Sequence, residues 1–401
     1  MKIGIYYHAS PDRKSGGDAA FQEIIVEEIR RMSLQHEIFL LSPTAPADRP
    51  KVDNGIRLIK LAAGYEGRCG EVVKVLKRLV TYSADWLLDR EFTLFSSLEK
   101  AVKEHGIDLV WFISVWTEKV TVPYIATVWD LAHRVHPYFP EVSCTGWKWK
   151  LRERHYRELL PRAACVITGT VAGKEEIVTY YQVPERLVEV VPFPTPQFAL
   201  VPETPESEHG GSLELPHNYL FYPAQFWPHK NHVGLLLALK ILREKHGLDF
   251  HLVLTGSDKG NLGYVMEKAV ELGLTDRVIF PGFVETAELR RLYRHAFALV
   301  FPTFFGPDNL PPLEAFALCC PVIASRVSGA EEQLGDAALL FDPKDPEEMA
   351  QRVKELHDNP AMREELVRLG RVRALRWTAA DYVQRVFAII YDFGSIRRCW
   401  K

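Results

Sequence analysis

The sequence predicts an α/β protein built from two doubly wound domains that face each other across a cleft. Three observations carry that prediction. A chain of 401 residues exceeds the ~250 to 300 residues at which single hydrophobic cores stop growing. Strand-like apolar runs alternate with helix-like segments along both halves, the pattern of parallel sheets covered by helices. Between the halves, Pro192 to Pro216 is rich in Pro, Glu, Ser and Gly, a composition suited to a linker with exposed turns. The division is 1–195, a linker at 196–216, and 217–377, with ligands expected in the cleft.

In the first half, Lys2 to Tyr7 reads as a strand, Ala19 to Met32 as an amphipathic helix, and Glu37 to Ser42 as a strand. Leu109 to Ile113, Tyr124 to Trp129 and Cys165 to Thr168 are further short apolar runs of strand composition. The second half repeats the alternation: strand Tyr219 to Tyr222, helix Val233 to Lys245, strand Phe250 to Thr255, helix Tyr264 to Leu272, strand Val278 to Phe280 and helix Ala287 to His295. Phe297 to Phe301 is a strand that Gly306-Pro307-Asp308-Asn309 breaks with turn-favouring residues. A helix then opens near Leu310, with Pro311 and Pro312 in its first turn, and Pro321 starts the next strand.

Composition excludes several classes. A formal net charge of −3 at pH 7 gives no drive toward nucleic acid or an anionic membrane. Six cysteines occur without a CxxC pair, which fits reduced thiols in a cytoplasmic protein. The chain opens into strand-like Ile3 to Tyr7 without an apolar leader, and no apolar run is long enough to span a bilayer, so the expectation is a protein neither secreted by that route nor integral.

Four groups of residues point to a nucleotide-bearing ligand. Helix amides at Asn309, Leu310 and Leu313 suit an anion, while Glu314, in the same helix, can accept hydroxyls. Lys230, in Tyr222 to His232, presents a compact cation to phosphate, and Asn231 can cap the following helix; the alternative is a solvated loop charge. Gly16 and Gly17 allow close backbone approach to a ligand, or simply turn the chain from strand to helix. They do not form the three-glycine dinucleotide fingerprint, which argues against a nicotinamide enzyme. Asp130 and His133 follow a strand's carboxyl end and are candidate polar contacts, or a cap and a surface His.

These motifs resemble the large group of GT-B glycosyltransferases that use nucleotide-sugar donors with retention of configuration. The resemblance rests on Asn309-Leu310-Pro311 and Glu314-Ala315, on Lys230, and on the order of phosphate, ribose and linker features along nearly the whole chain. It departs from the pattern where Gly306 stands for a Glu, Ala224 for an Arg and Trp129 for a His. It implies that Glu314 binds ribose, that Lys230 meets the donor phosphates with Gln225, His229 or Arg326 sharing the charge, and that Asp308 substitutes as a contact to a sugar hydroxyl. It places Gly256 and Ser257 beside diphosphate or ribose, and Phe283 and Val284 at the base; both segments are otherwise ordinary turns. Trp377 to Tyr391, capped by Thr378, resembles the helix that crosses back, so that 378–401 joins the first domain.

The function implied is transfer of a hexose to a glycan, lipid-linked or small-molecule hydroxyl, an EC 2.4 activity. No Asp-x-Asp motif suggests a metal-clamped diphosphate, and no cofactor or metal is expected. Asp130 and His133 are the expected catalytic contacts. Cys69 to Trp86, Trp147 to Arg157 and Arg397 to Lys401 are basic and apolar or aromatic, and make peripheral membrane contact at the inner face an alternative to plain domain helices. A sugar phosphorylase, a nucleotide-sugar epimerase or a catalytically silent nucleotide-sugar-binding scaffold would use the same fold.

Overall fold

A computed structural model describes residues 1–8, 17–32, 34–44, 52–53, 55–61, 96–115, 117–143, 149–201 and 213–400. Residues 2–190 contribute one sheet: β1 Lys2–Tyr6, β2 Glu37–Ser42, β3 Val52–Asp53, β4 Ile56–Lys60, β5 Leu109–Phe112, β6 Tyr124–Thr127, β7 Cys165–Thr168 and β8 Val188–Val190. Their order is β3-β4-β2-β1-β5-β6-β7-β8. Only the β3–β4 pair is antiparallel. A second, parallel sheet has β9 Tyr219–Pro223, β10 His251–Thr255, β11 Val278–Gly282, β12 Ala298–Phe301, β13 Val322–Ser325 and β14 Ala338–Phe341, ordered β11-β10-β9-β12-β13-β14.

The central strands are buried on both faces, which is why β5 (LVWF) and β12 (ALVF) read as unbroken apolar runs. In each sheet the winding reverses once. The reversal lies between β1 and β5 in the first sheet and between β9 and β12 in the second. At such a point the loops leaving neighbouring strands diverge to opposite faces and open a crevice at the strands' carboxyl ends. Helix α1 Gly17–Arg31 follows β1, α5 His232–His246 follows β9, and α8 Leu310–Ala317 follows β12. Gly17, Lys230 and Glu314 thus lie on segments leaving the strands at these two crevices, while Asp130 follows β6, Gly256 and Ser257 follow β10, and Phe283 and Val284 follow β11.

Other helices support them: α2 Ser97–His105, α3 Trp149–Leu159, α4 Val171–Tyr181, α6 Leu262–Glu271, α7 Thr286–His295, α9 Ala330–Leu334, α10 Pro346–Asp358 and α11 Pro360–Leu375. The last, α12 Ala379–Arg397, starts at Thr378, whose side chain forms a reciprocal cap with Asp381. It returns to the first sheet, burying Tyr382, Val383, Val386, Phe387 and Ile390 in one cluster with Ile3, Phe21 and Trp111. Each such side chain contributes roughly 1.5–3 kcal/mol, enough to hold both ends of the chain on one core.

Among the described residues, no helix is long and apolar enough to cross a membrane. Cys69 to Trp86 lies outside the described residues. The described part of Trp147 to Arg157 belongs to α3, whose Trp149 Nε1 donates to the carbonyl of His133 and whose Arg152 donates to Asp130. That face supports the cleft. At the other end, Arg397 pairs with Asp108 at 3.0 Å, while Trp400 is half exposed.

Candidate functional site

Lys230 ends a short helical turn, Pro228–Lys230, after β9. Asn231 follows with φ of +57° and accepts from the Gly234 amide, capping α5 as its sequence position implied. The Lys230 ammonium lies 5.4 Å from the ring centre of Phe301, the last residue of β12, so it sits over the second sheet's reversal point. It makes no hydrogen bond or ion pair among the described residues. Burial lowers its pKa to about 8, against the opposing pull of Asp130 and Glu141.

Glu314 lies on α8, the helix that leaves the neighbouring strand. Its Oε2 accepts from the Tyr293 hydroxyl at 2.6 Å. Burial raises its pKa to about 7, partly offset by that hydrogen bond. Leu310 opens the helix and packs into the core of the first half. Its Cδ1 faces Gly17 across the cleft, 3.8 Å from where a Cβ would be, so Leu310 and Gly17 are brought together. Gly16 lies outside the described residues.

Several expectations are corrected. Asp308 is not an open sugar contact: its Oδ2 accepts from the Phe193 amide at 2.9 Å and its Oδ1 from the Gln333 carboxamide. Burial pushes it up to about 7. It joins the two halves. The amide of Asn309 donates to Gln333 Oε1 at 3.1 Å, which removes it from the donors available to a phosphate. His133 is fully buried, with Nε2 against the Tyr181 hydroxyl at 2.9 Å and its ring stacked on Tyr156. It supports the loop and has no surface to offer a ligand. Burial lowers its pKa to about 4, and that of His229 to about 4 as well, so His229 carries no charge to share with Lys230. Arg326 is turned to Glu331, 3.8 Å away.

Gly256 has φ of +146°, and a Cβ there would meet the Ala224 carbonyl at 2.2 Å. Its smallness serves packing of the β9 loop on β10, where diphosphate access was expected. Ser257 beside it has a buried hydroxyl with no hydrogen-bond partner among the described residues. Gln225 is engaged, its Oε1 accepting from Trp227 Nε1 at 3.1 Å. Phe283, just after β11, is exposed, and Val284 is partly buried against the second core.

Asp130 reaches the cleft between the halves, in a small cavity that Glu176, Gly306 and Ser328 also line. Burial raises its pKa, but the Arg152 guanidinium at 2.7 Å and the Ala132 amide at 2.9 Å outweigh that and hold it below the usual carboxylate range. Trp129, before it, packs on Phe21 and Phe193. The halves also meet where both oxygens of Glu332 accept from the Val171 amide at 2.9 Å, and where Glu141 meets His229. Sequence reading missed Glu141, Glu176, Tyr293 and Gln333. None belongs to a spaced motif, and only the fold brings them to the cleft.

Residues 206–373 match the family model for glycosyl transferases group 1. The O-antigen chain mannosyltransferase RfbU of Salmonella typhimurium is 26% identical over 251 residues, 61% of this chain and 65% of that protein. The chain spans 65%, 42% and 56% of the length of three curated relatives it matches. The sucrose-phosphate synthase structure from Thermosynechococcus elongatus superposes with a TM-score of 0.74 at 18% identity, covering 99% of this chain and 100% of that one. The Anabaena HepE structure in complex with UDP-glucose has a TM-score of 0.68 at 14% identity, covering 98% and 100%. Residues 206–373 thus match the glycosyl transferases group 1 family, and the chain's two halves together have the GT-B fold of paired Rossmann-like domains.

Proposed function

We propose that the protein transfers a hexose from a nucleotide-sugar donor to a hydroxyl of a glycan, lipid-linked or small-molecule acceptor, with retention of configuration and without a metal. One observation carries this reading. At the second sheet's reversal point, the loop after β9 presents Lys230, an ammonium without an anionic partner among the described residues, while the helix after β12 presents Glu314.

The costly event in glycosyl transfer is separating an anionic diphosphate from a sugar that becomes oxocarbenium-like. Lys230 meets the charge that develops on the diphosphate. Glu314, oriented by Tyr293, takes a ribose hydroxyl; Ser257, in the loop after β10, offers its unpartnered hydroxyl, and Phe283 and Val284 flank the base. Asp130, on the opposite wall, contacts the reacting sugars. The acceptor attacks on the face from which the diphosphate departs, and a phosphate oxygen takes its proton. No enzyme nucleophile is invoked. The O-antigen chain mannosyltransferase relative and the UDP-glucose complex support a hexose donor and a glycan acceptor; a cytoplasmic location with peripheral membrane contact is part of the same proposal.

NMR of the purified protein with UDP-, GDP-, ADP- and dTDP-sugars, in EDTA, tests the reading. Selective binding and slow hydrolysis of one donor are expected. Absence of binding to every donor would overturn it, and binding without turnover would favour a silent scaffold.

A further inference from the structure

The cavity at Asp130 holds one carboxylate that the mechanism above leaves unused. Glu176 projects from α4, whose buried face is Gly173, Ile177 and Tyr181, into the cavity that Asp130, Gly306 and Ser328 also line. Its only hydrogen bond among the described residues comes from the opposite half: the Ser328 hydroxyl donates to Oε1 at 3.4 Å. That is a long, weak bond. The second oxygen has no partner among the described residues.

The other walls sharpen its role. From the second half the cavity receives Phe305, Gly306, Pro307, Val327 and Ser328, none of them charged. Position 306 cannot supply a carboxylate, because φ is +129° and a Cβ would come within 2.7 Å of the Asn309 side chain. Asp130 is already engaged by Arg152 and the Ala132 amide. Glu176 is a second carboxylate acceptor for a ligand here, without a cation beside it and next to the apolar surfaces of Phe305 and Pro307. A sugar ring has both matching parts: hydroxyl donors on its rim and C–H groups on its face. Burial, with the neighbouring Asp130 charge, raises the Glu176 pKa to about 7, as suits a carboxylate with no cation beside it.

We propose that Glu176, reaching across the cleft from α4, accepts a hydroxyl of the donor's sugar and so determines which sugar is taken. The proposal rests on the donor-site reading above. Its test uses UDP, UDP-glucose, GDP and GDP-mannose as probes, titrated into the wild type, Glu176→Ala and Glu176→Gln. A lost hydrogen bond to a charged acceptor weakens binding about 10- to 100-fold. Glu176→Ala should lose that much for the nucleotide-sugar and keep the wild-type affinity for the matching free diphosphate, with Glu176→Gln between the two.

Equal affinities in Glu176→Ala and wild type for both ligands would remove Glu176 from the sugar site and leave the donor site standing. Equal losses for diphosphate and nucleotide-sugar would make Glu176 a support of the fold and also overturn the proposal. If the wild type binds none of these four probes and no ADP- or dTDP-sugar, the donor reading falls and takes this assignment with it.

Discussion

Glu141, in the first half, accepts both the backbone amide of His229 at 3.0 Å and a hydrogen bond from its Nδ1 at 2.5 Å, so one carboxylate oxygen clasps a residue of the second half. Both residues are buried. Burial drives His229 to its neutral form, so the contact is a charge-assisted hydrogen bond from a neutral ring. Glu141→Ala should cost about 2–3 kcal/mol in urea denaturation, because it leaves two buried donors unsatisfied. In a double-mutant cycle with His229→Ala the two losses should fall short of additivity by about 1 kcal/mol; additive losses would mean that the two side chains do not interact.

Lys230 controls a pH dependence of binding. With its pKa lowered by burial to about 8, the unliganded protein loses this charge as pH rises from 7 to 9. Affinity for a nucleoside diphosphate should fall about fivefold from pH 8 to pH 9. Lys230→Arg, which stays protonated, should flatten that profile, and Lys230→Ala should bind weakly at every pH. Isothermal titration across the range distinguishes the three.

Glu314 carries a stability cost with a defined sign. Its folded pKa is raised by burial to about 7, above its unfolded value, so the native state binds the extra proton between them. Stability therefore falls as pH rises from the ordinary carboxylate range to about 7, and stays lower above it. Glu314→Gln should be roughly 3 kcal/mol more stable than wild type at pH 8 and no different at pH 4, while binding the donor more weakly. Thermal melts at the two pH values, with a donor titration, check both statements.

Asp130 and His133 should separate cleanly. Asp130→Asn should keep nucleotide binding and lose most transfer, because it alone of the two lines the cleft. His133→Ala should lower the melting temperature by removing the buried contacts to Tyr156 and Tyr181, with kcat of the surviving folded fraction little changed. Loss of transfer in a fully stable His133→Ala would return His133 to the chemistry.

Most strands were legible because each is a short apolar run ended by a turn, although β3, β4, β8 and β14 went unread, and the caps at Asn231 and Thr378 were legible because capping is local. Helix α10 also carried readable signals, an Asp345 cap, Pro346 in the first turn and apolar Met349, Val353 and Leu356 on one face. Its absence from the reading is an omission. His133 was different in kind. Its burial depends on Tyr181, 48 residues away, and nothing in its own segment announces that contact. Asp308 likewise reads as a free polar turn residue until the fold brings Phe193 to it.

The turn at Gly306 also constrains how this cleft can change over evolution or in the laboratory. A side chain there meets an unfavourable backbone and the end of the Asn309 side chain, so a carboxylate placed on that wall carries a strain cost. Moving Asn309 aside to make room gives up its side-chain bond to the Gly306 carbonyl. Substitutions on α4 carry no such cost, so an engineer varying sugar choice would start there.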